Sequence, residues 1–245
     1  MNGNFLRCKV LATVLLSLFL CVACGRTEQS HQERYAGRYS GGQPSHREPR
    51  RDRNTHAISG DFDYYVLSLS WAPTFCEGPE HRHARECDPA RNTGFVIHGL
   101  WPQRENGPSP EYCGHAQQLD GPVINDALEL MPDAGLVRHE WRAHGTCSGL
   151  SPMEYFAKMK KARQAIRIPA PYRSPQRGLR TSASTIEQRF AQASGITQPG
   201  VIHVHCVRDE IAEVRVCFSK SLDPRTCSEN IGECRANPIF MKPVR

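Results

Sequence analysis

Two short segments concentrate the groups able to move protons at neutral pH: Phe95-Val96-Ile97-His98-Gly99-Leu100-Trp101-Pro102 and His139-Glu140-Trp141-Arg142-Ala143-His144-Gly145-Thr146-Cys147. They bring three imidazoles, one carboxylate and two indoles. An imidazole titrates at about pH 6.5, so one ring can take the proton from a ribose 2′-hydroxyl while another protonates the departing 5′-oxygen. That chemistry needs no metal and no cofactor. Indoles suit base stacking, which is the reading for Trp101, whereas Trp141 reads as a core residue.

His-Glu followed by a second His also invites a zinc reading. Zinc on a helix takes histidines four residues apart, whereas His139 and His144 are five apart, about 140° around a helix. Glu140 and His144 are four apart and would share a helical face. A carboxylate there would orient the ring and raise its pKa. His203 and His205 alternate onto one strand face but have no evident third ligand, so no metal site is assigned.

The elements around these segments follow from periodicity. Tyr65, Leu67, Leu69 and Trp71 alternate with Tyr64, Val66, Ser68 and Ser70, which predicts a strand with one buried face. Residues 94–100 read as a second strand. Ser151-Pro152-Met153-Glu154 is a capping box that opens a helix ending at Pro169, and residues 184–187 cap another helix stopped by Gly195. Residues 201–207 and 211–218 read as two strands joined at Arg208-Asp209-Glu210. This order predicts an α+β fold, an antiparallel sheet flanked by helices. Arg167, Tyr172, Arg173, Arg177 and Arg180 form a basic, proline-rich stretch that is either a phosphate track or a solvated loop.

At 245 residues the chain holds one domain once its ends are set aside. Arg7 and Lys9 precede an apolar run over residues 10–23, too short to span a bilayer and built like a secretory signal. Ala23-Cys24 resembles a bacterial lipoprotein site, although Cys21 stands where leucine is usual. Cleavage and lipidation both stay open, and a lipidated Cys24 is the one membrane attachment considered. Residues 24–60 are polar and basic and read as a disordered linker, leaving 61–245 as the folded domain. The first sixty residues hold 9 of the 31 Lys and Arg and 4 of the 25 Asp and Glu. The rest carries 22 against 21, so bulk charge gives no argument for nucleic acid. Eight cysteines lie in the domain, an even number that behind a secretory signal predicts four disulfides in the periplasm or outside the cell.

The two motifs, together with Trp71-Ala72-Pro73-Thr74-Phe75-Cys76, resemble the active-site segments of the ribonuclease T2 family, in order and in spacing. The resemblance runs from about Phe62 to the C-terminus. It implies an α+β fold and a secreted endoribonuclease that cleaves single-stranded RNA without a cofactor through a 2′,3′-cyclic phosphate; a monomer that takes RNA but not DNA is expected. By position, His98 would be the acid, His144 the base and His139 a phosphate contact. Glu140 would steady His144 or the phosphorus. Trp101 would stack on a base, and Gln103, which both donates and accepts, would read bases broadly. The family pattern also implies the disulfides Cys113–Cys147, Cys206–Cys234 and Cys217–Cys227, with Cys76–Cys87 remaining. Ala143 departs from the family, which commonly has lysine there to stabilise transition-state charge. Turnover is then slower unless Arg142 or another segment supplies a cation. The alternatives are a catalytically silent RNA- or partner-binding relative, for which Ala143 is the hint, and a metal-dependent nuclease, which would need clustered carboxylates the motifs lack.

Overall fold

The structure is a computed structural model that describes residues 57–81, 83–232 and 234–244. The leader, most of the linker and Cys8, Cys21 and Cys24 lie outside the described residues. At the near end of the linker, the Ser59 hydroxyl donates to Thr146 O and the Gly60 amide donates to Cys147 O, both at the end of the second motif.

Strand β1 (Tyr64–Trp71) lies between β2 (Phe95–Gln103) and β5 (Glu210–Phe218), antiparallel to both. On its far side β5 pairs with β4 (Ile202–Val207) through the tight turn at Arg208-Asp209, where Arg208 has φ of 57°. Two three-residue strands, β3 (Leu179–Thr181) and β6 (Ile239–Met241), pair with each other at the sheet's edge. The expected antiparallel sheet is therefore mixed, because β6 meets β5 in parallel at Glu210 and Phe240.

The helices are α1 (Ala72–Phe75), α2 (Gly121–Leu128), α3 (Ala134–Ala143), α4 (Pro152–Gln164), α5 (Ala170–Arg173) and α6 (Ala183–Ser194). The capping box at Ser151 and Glu154 forms as expected, but α4 stops at Gln164, five residues before Pro169. Ile166 still reaches the core from beyond the helix end. Helix α6 is capped by Ser182, two residues earlier than expected, and ends on Gly195 in the left-handed region that favours glycine. Tyr172 is a core residue stacked near Phe190, so the basic stretch lacks an exposed aromatic to interleave with bases.

The core joins Leu67, Leu69 and Trp71 of β1 to Met159 of α4, Phe190 of α6 and Val214 of β5. The expected half-exposed β1 is instead buried on both faces. Its second face, Tyr64 and Val66, packs with Cys217 and Ile231 and against Trp101 and Cys227. The three disulfides the family resemblance implied all form, and so does Cys76–Cys87 from the remaining pair.

Candidate active site

The second face of β1 carries the site. Its register with β2 pairs Ser68 with Gly99 but Leu69 with Ile97, so His98 is the extra residue of a β-bulge. Ile97 and Leu100 stay in the core on either side. The bulge puts two consecutive residues between them and turns the imidazole out of the alternation, a common device beside active sites. Gly99 is required for a different reason. A β-carbon on it would lie 1.9 Å from Glu140 Oε2 and 2.3 Å from Trp101 Nε1.

Helix α3 brings the second motif over β2. Asp133 caps it by accepting from the amides of Gly135 and Leu136. Val137, Glu140 and Trp141 form the buried face at helical spacing. Trp141 is a core residue whose indole N–H donates to Gln117 O at 2.9 Å. The helix ends at Ala143, and His144 follows it with φ of −123° and ψ of −43°. The expected pairing of Glu140 with His144 on one face does not form, because the chain leaves helical geometry between them. Glu140 Oε2 accepts from the Trp101 indole at 2.9 Å, and Oε1 faces His98 Nε2 at 3.8 Å. The Cys113–Cys147 disulfide fixes the end of this segment, helped by the Tyr112 amide donating to Ala143 O.

The Trp101 ring lies beside both His98 and His144, its centroid 5.1 Å from the first and 5.5 Å from the second. It also lines a recess of about 210 Å³, together with Gln103, Ser109, Glu111 and Arg215. The Gln103 amide is held there: its oxygen accepts from Ser109 Oγ at 2.6 Å and its nitrogen donates to Pro102 O.

Burial and charge drive the titrating groups apart. Burial lowers the His98 pKa, but the hydrogen bond and charge of Glu213, with Glu140 adding to them, outweigh it. The ring is thus held above the ordinary histidine value, although Arg215 opposes this. Burial, then the charges of His98 and His139, push His144 down to about 3. Burial also lowers His139, with His98 and Arg142 acting the same way. Glu140 is fully buried and its Oε1 has no hydrogen-bond partner. That burial pushes its carboxyl up to about 7 against the pull of His98 and Trp101.

Sequence reasoning missed Glu213 and Arg215. Both enter from β5, more than sixty residues past the second motif. The available signal was two charges inside an otherwise apolar strand, Ile211 to Phe218. Arg215 places a cation 5.5 Å from the Trp101 ring centroid, whereas Arg142 is exposed on α3. Among the described residues, no group of three or more His, Cys, Asp or Glu is placed to hold a metal.

The family model "Ribonuclease T2 family" matches residues 62–227, the span that contains both motifs, the bulge and β5. The chain belongs to the ribonuclease T2 family. Membership makes this T2 protein an endoribonuclease. It is 34% identical over 196 residues to a ribonuclease of Aeromonas hydrophila, covering 76% of this chain and 88% of that one. It is 32% identical over 133 residues to a probable ribonuclease of Haemophilus influenzae, covering 48% and 49%. The T2 fold itself is matched in the crystal structure of RNase NT in complex with 5′-AMP, with a TM-score of 0.56 at 23% identity over 76% of this chain and 100% of that one.

Proposed function

We propose that this T2 ribonuclease cuts single-stranded RNA by metal-independent transphosphorylation, with His98 as general acid and His144 as general base. The observation that carries the reading is that His98 and His144 both lie beside Trp101, their ring centroids 5.1 and 5.5 Å from its own, in surroundings that push their pKa values in opposite directions. A pair of groups whose surroundings push their pKa values apart divides naturally into acid and base. His144, kept neutral by burial, takes the proton of the ribose 2′-hydroxyl. The 2′-oxygen forms its bond to phosphorus, the bond from phosphorus to the 5′-oxygen breaks, and His98 Nε2 delivers a proton to the leaving oxygen. The product is a 2′,3′-cyclic phosphate. Water opens it in a second step in which the two rings exchange roles.

Glu140 serves beside them. A carboxyl near its midpoint at neutral pH, with one oxygen free, can donate a hydrogen bond to a non-bridging phosphate oxygen as charge builds there. His139, adjacent to Glu140 in sequence and with its pKa lowered by burial, offers a further phosphate contact. Trp101 and Gln103 border the recess in which a base stacks, and an amide that both donates and accepts supports broad base preference. Export to the periplasm or the exterior is supported by the four disulfides, which persist in oxidising compartments.

The test is cleavage of a homopolymer set in the presence of a chelator, with products analysed for terminal cyclic phosphate. Cleavage of all four homopolymers with cyclic ends is expected. Loss of activity in chelator, or products without a cyclic phosphate, would overturn the mechanism.

A further inference from the structure

We propose that Glu213, backed by Arg215, is the positioning partner of His98: it holds the Nδ1 side of the ring and leaves Nε2 to face the substrate. The assignment rests on the reading of His98 as the acid. Its geometry comes from the sheet. Register sets Glu213 opposite Ser70 and Arg215 opposite Ser68 on β1, while Gly99 lies opposite Ser68 on the other side. Serine is small, so side chains from β2 and β5 can meet above the strand between them. His98, turned out by the bulge, reaches Glu213 Oε1 with Nδ1 at 2.8 Å. Ser70 Oγ adds a longer contact to the same oxygen at 3.4 Å.

The other carboxylate oxygen is fully used. Arg215 Nε and Nη2 donate to Glu213 Oε2 at 2.8 and 2.7 Å, and Arg215 Nη1 donates to Ile231 O. A guanidinium held by three contacts cannot swing away, so the carboxylate cannot rotate off the imidazole. A buried ion pair alone is a poor reason for this arrangement. Desolvation offsets most of the attraction, and apolar residues such as the neighbouring Val214 and Val216 would stabilise the strand as well. A carboxylate on Nδ1 does something an apolar residue cannot: it keeps a proton on that nitrogen and so makes Nε2 the nitrogen that exchanges protons with the substrate. Arg215 balances the charge, so that His98 can still release its proton.

The charged and titratable groups around His98 are few. Glu213 and Arg215 face it from β5, and Glu140 from α3 at 3.8 Å. His139 on α3, His144 just past its end and Glu86, in the turn Arg85–Cys87, feel its charge. His205 on β4 faces Glu213 and Arg215. Removing the negative charge should lower the His98 midpoint, and removing only the balancing positive charge should raise it.

The experiment follows His98 in the full chain by nitrogen-15 histidine NMR, with the pH profile of kcat/KM on RNA beside it. In the wild type the Nδ1-protonated form is expected at high pH. Glu213→Gln should lower the His98 midpoint by about one unit or more, move the alkaline limb of the profile to lower pH, and reduce kcat above that limb by about tenfold or more with KM little changed. Arg215→Gln should move the midpoint and the limb the opposite way. A purely structural pair would lower stability in both variants and leave the midpoint in place, and that result overturns the proposal. Shifts in the same direction would overturn it too. If Glu213→Gln does not fold, Arg215→Gln decides alone: a midpoint that fails to rise rejects the assignment. A wild type unable to cleave RNA would reject the functional reading instead, and the NMR measurement is independent of that outcome.

Discussion

The Trp101 indole N–H donates to Glu140 Oε2 at 2.9 Å, which joins β2 to α3 across the site through a carboxylate with no exposed surface. Gly99 makes the approach possible by leaving room where any side chain would collide with both groups. One oxygen of Glu140 is satisfied by this bond and the other is not. The site thus holds a carboxylate in surroundings that favour its neutral form, a cost in stability placed where charge must be met during the reaction.

The first prediction concerns that cost. Glu140 has its folded pKa raised from 4.5 to about 7, so the folded state binds the extra proton and the associated stability is lost as pH rises through that interval. Glu140→Gln keeps an acceptor for Trp101 and has no charge to bury. It should equal the wild type in stability near pH 4 and exceed it near pH 8, by up to about 3 kcal/mol, while kcat falls. Urea unfolding at the two pH values checks this. A variant less stable than the wild type at pH 8 contradicts it.

The pH profile gives a second expectation. In the proposed mechanism His98 must be protonated and His144 neutral for the first step. With His98 held above its ordinary value and His144 pushed to about 3, the active plateau should be broad. Its alkaline limb should lie above pH 6.5 and its acidic limb well below it. A narrow optimum with both limbs near 6.5 would show that neither ring is displaced.

Replacing either histidine by alanine should cost about 10² to 10⁴ in kcat, the usual contribution of a general acid or base. DNA and 2′-O-methyl RNA should resist cleavage, since each lacks the hydroxyl that attacks. Rates measured on folded variants, verified by circular dichroism, decide the first point. Cutting of either modified substrate would reject the second.

Gly99→Ala should be disproportionately harmful for a single methyl group. The added carbon would displace Glu140, Trp101 or both, and overpacking of this kind costs about 1 to 3 kcal/mol. Thermal unfolding should show the loss of stability, and kcat should fall because the carboxylate and the indole border both imidazoles. Full activity with an unchanged Tm would mean that the carboxylate moves aside freely.

At Ala143 the family's usual lysine is absent, and restoring it by Ala143→Lys should not raise kcat. Ala143 is 2% exposed in the turn that Tyr112 closes onto it, so a lysine there would disrupt packing before it could serve the site. Loss of stability without catalytic gain is expected from steady-state rates and thermal melts of the variant. A higher kcat would show that the transition state lacks a cation in the native protein.

Much of this protein was determined by sequence alone. The two motifs named His98, Glu140 and His144, the β4–β5 hairpin lay open in its periodicity, and the capping box at Ser151 marked the start of α4 within a residue. These are local features, encoded over a few residues by side-chain period and turn chemistry, and local encoding survives reading in one dimension. Tertiary structure decided what those residues meet. Periodicity assigned β1 one buried face, yet the C-terminal segment around Ile231 covers the other. Helical spacing paired Glu140 with His144, yet α3 ends between them and Trp101 takes the carboxylate. Glu213 meets His98 across 115 positions of sequence because two strands flank a third whose serines leave room, in a register set by one bulge. Register and burial belong to the assembled sheet, and the opposite pKa shifts of His98 and His144 depend on both.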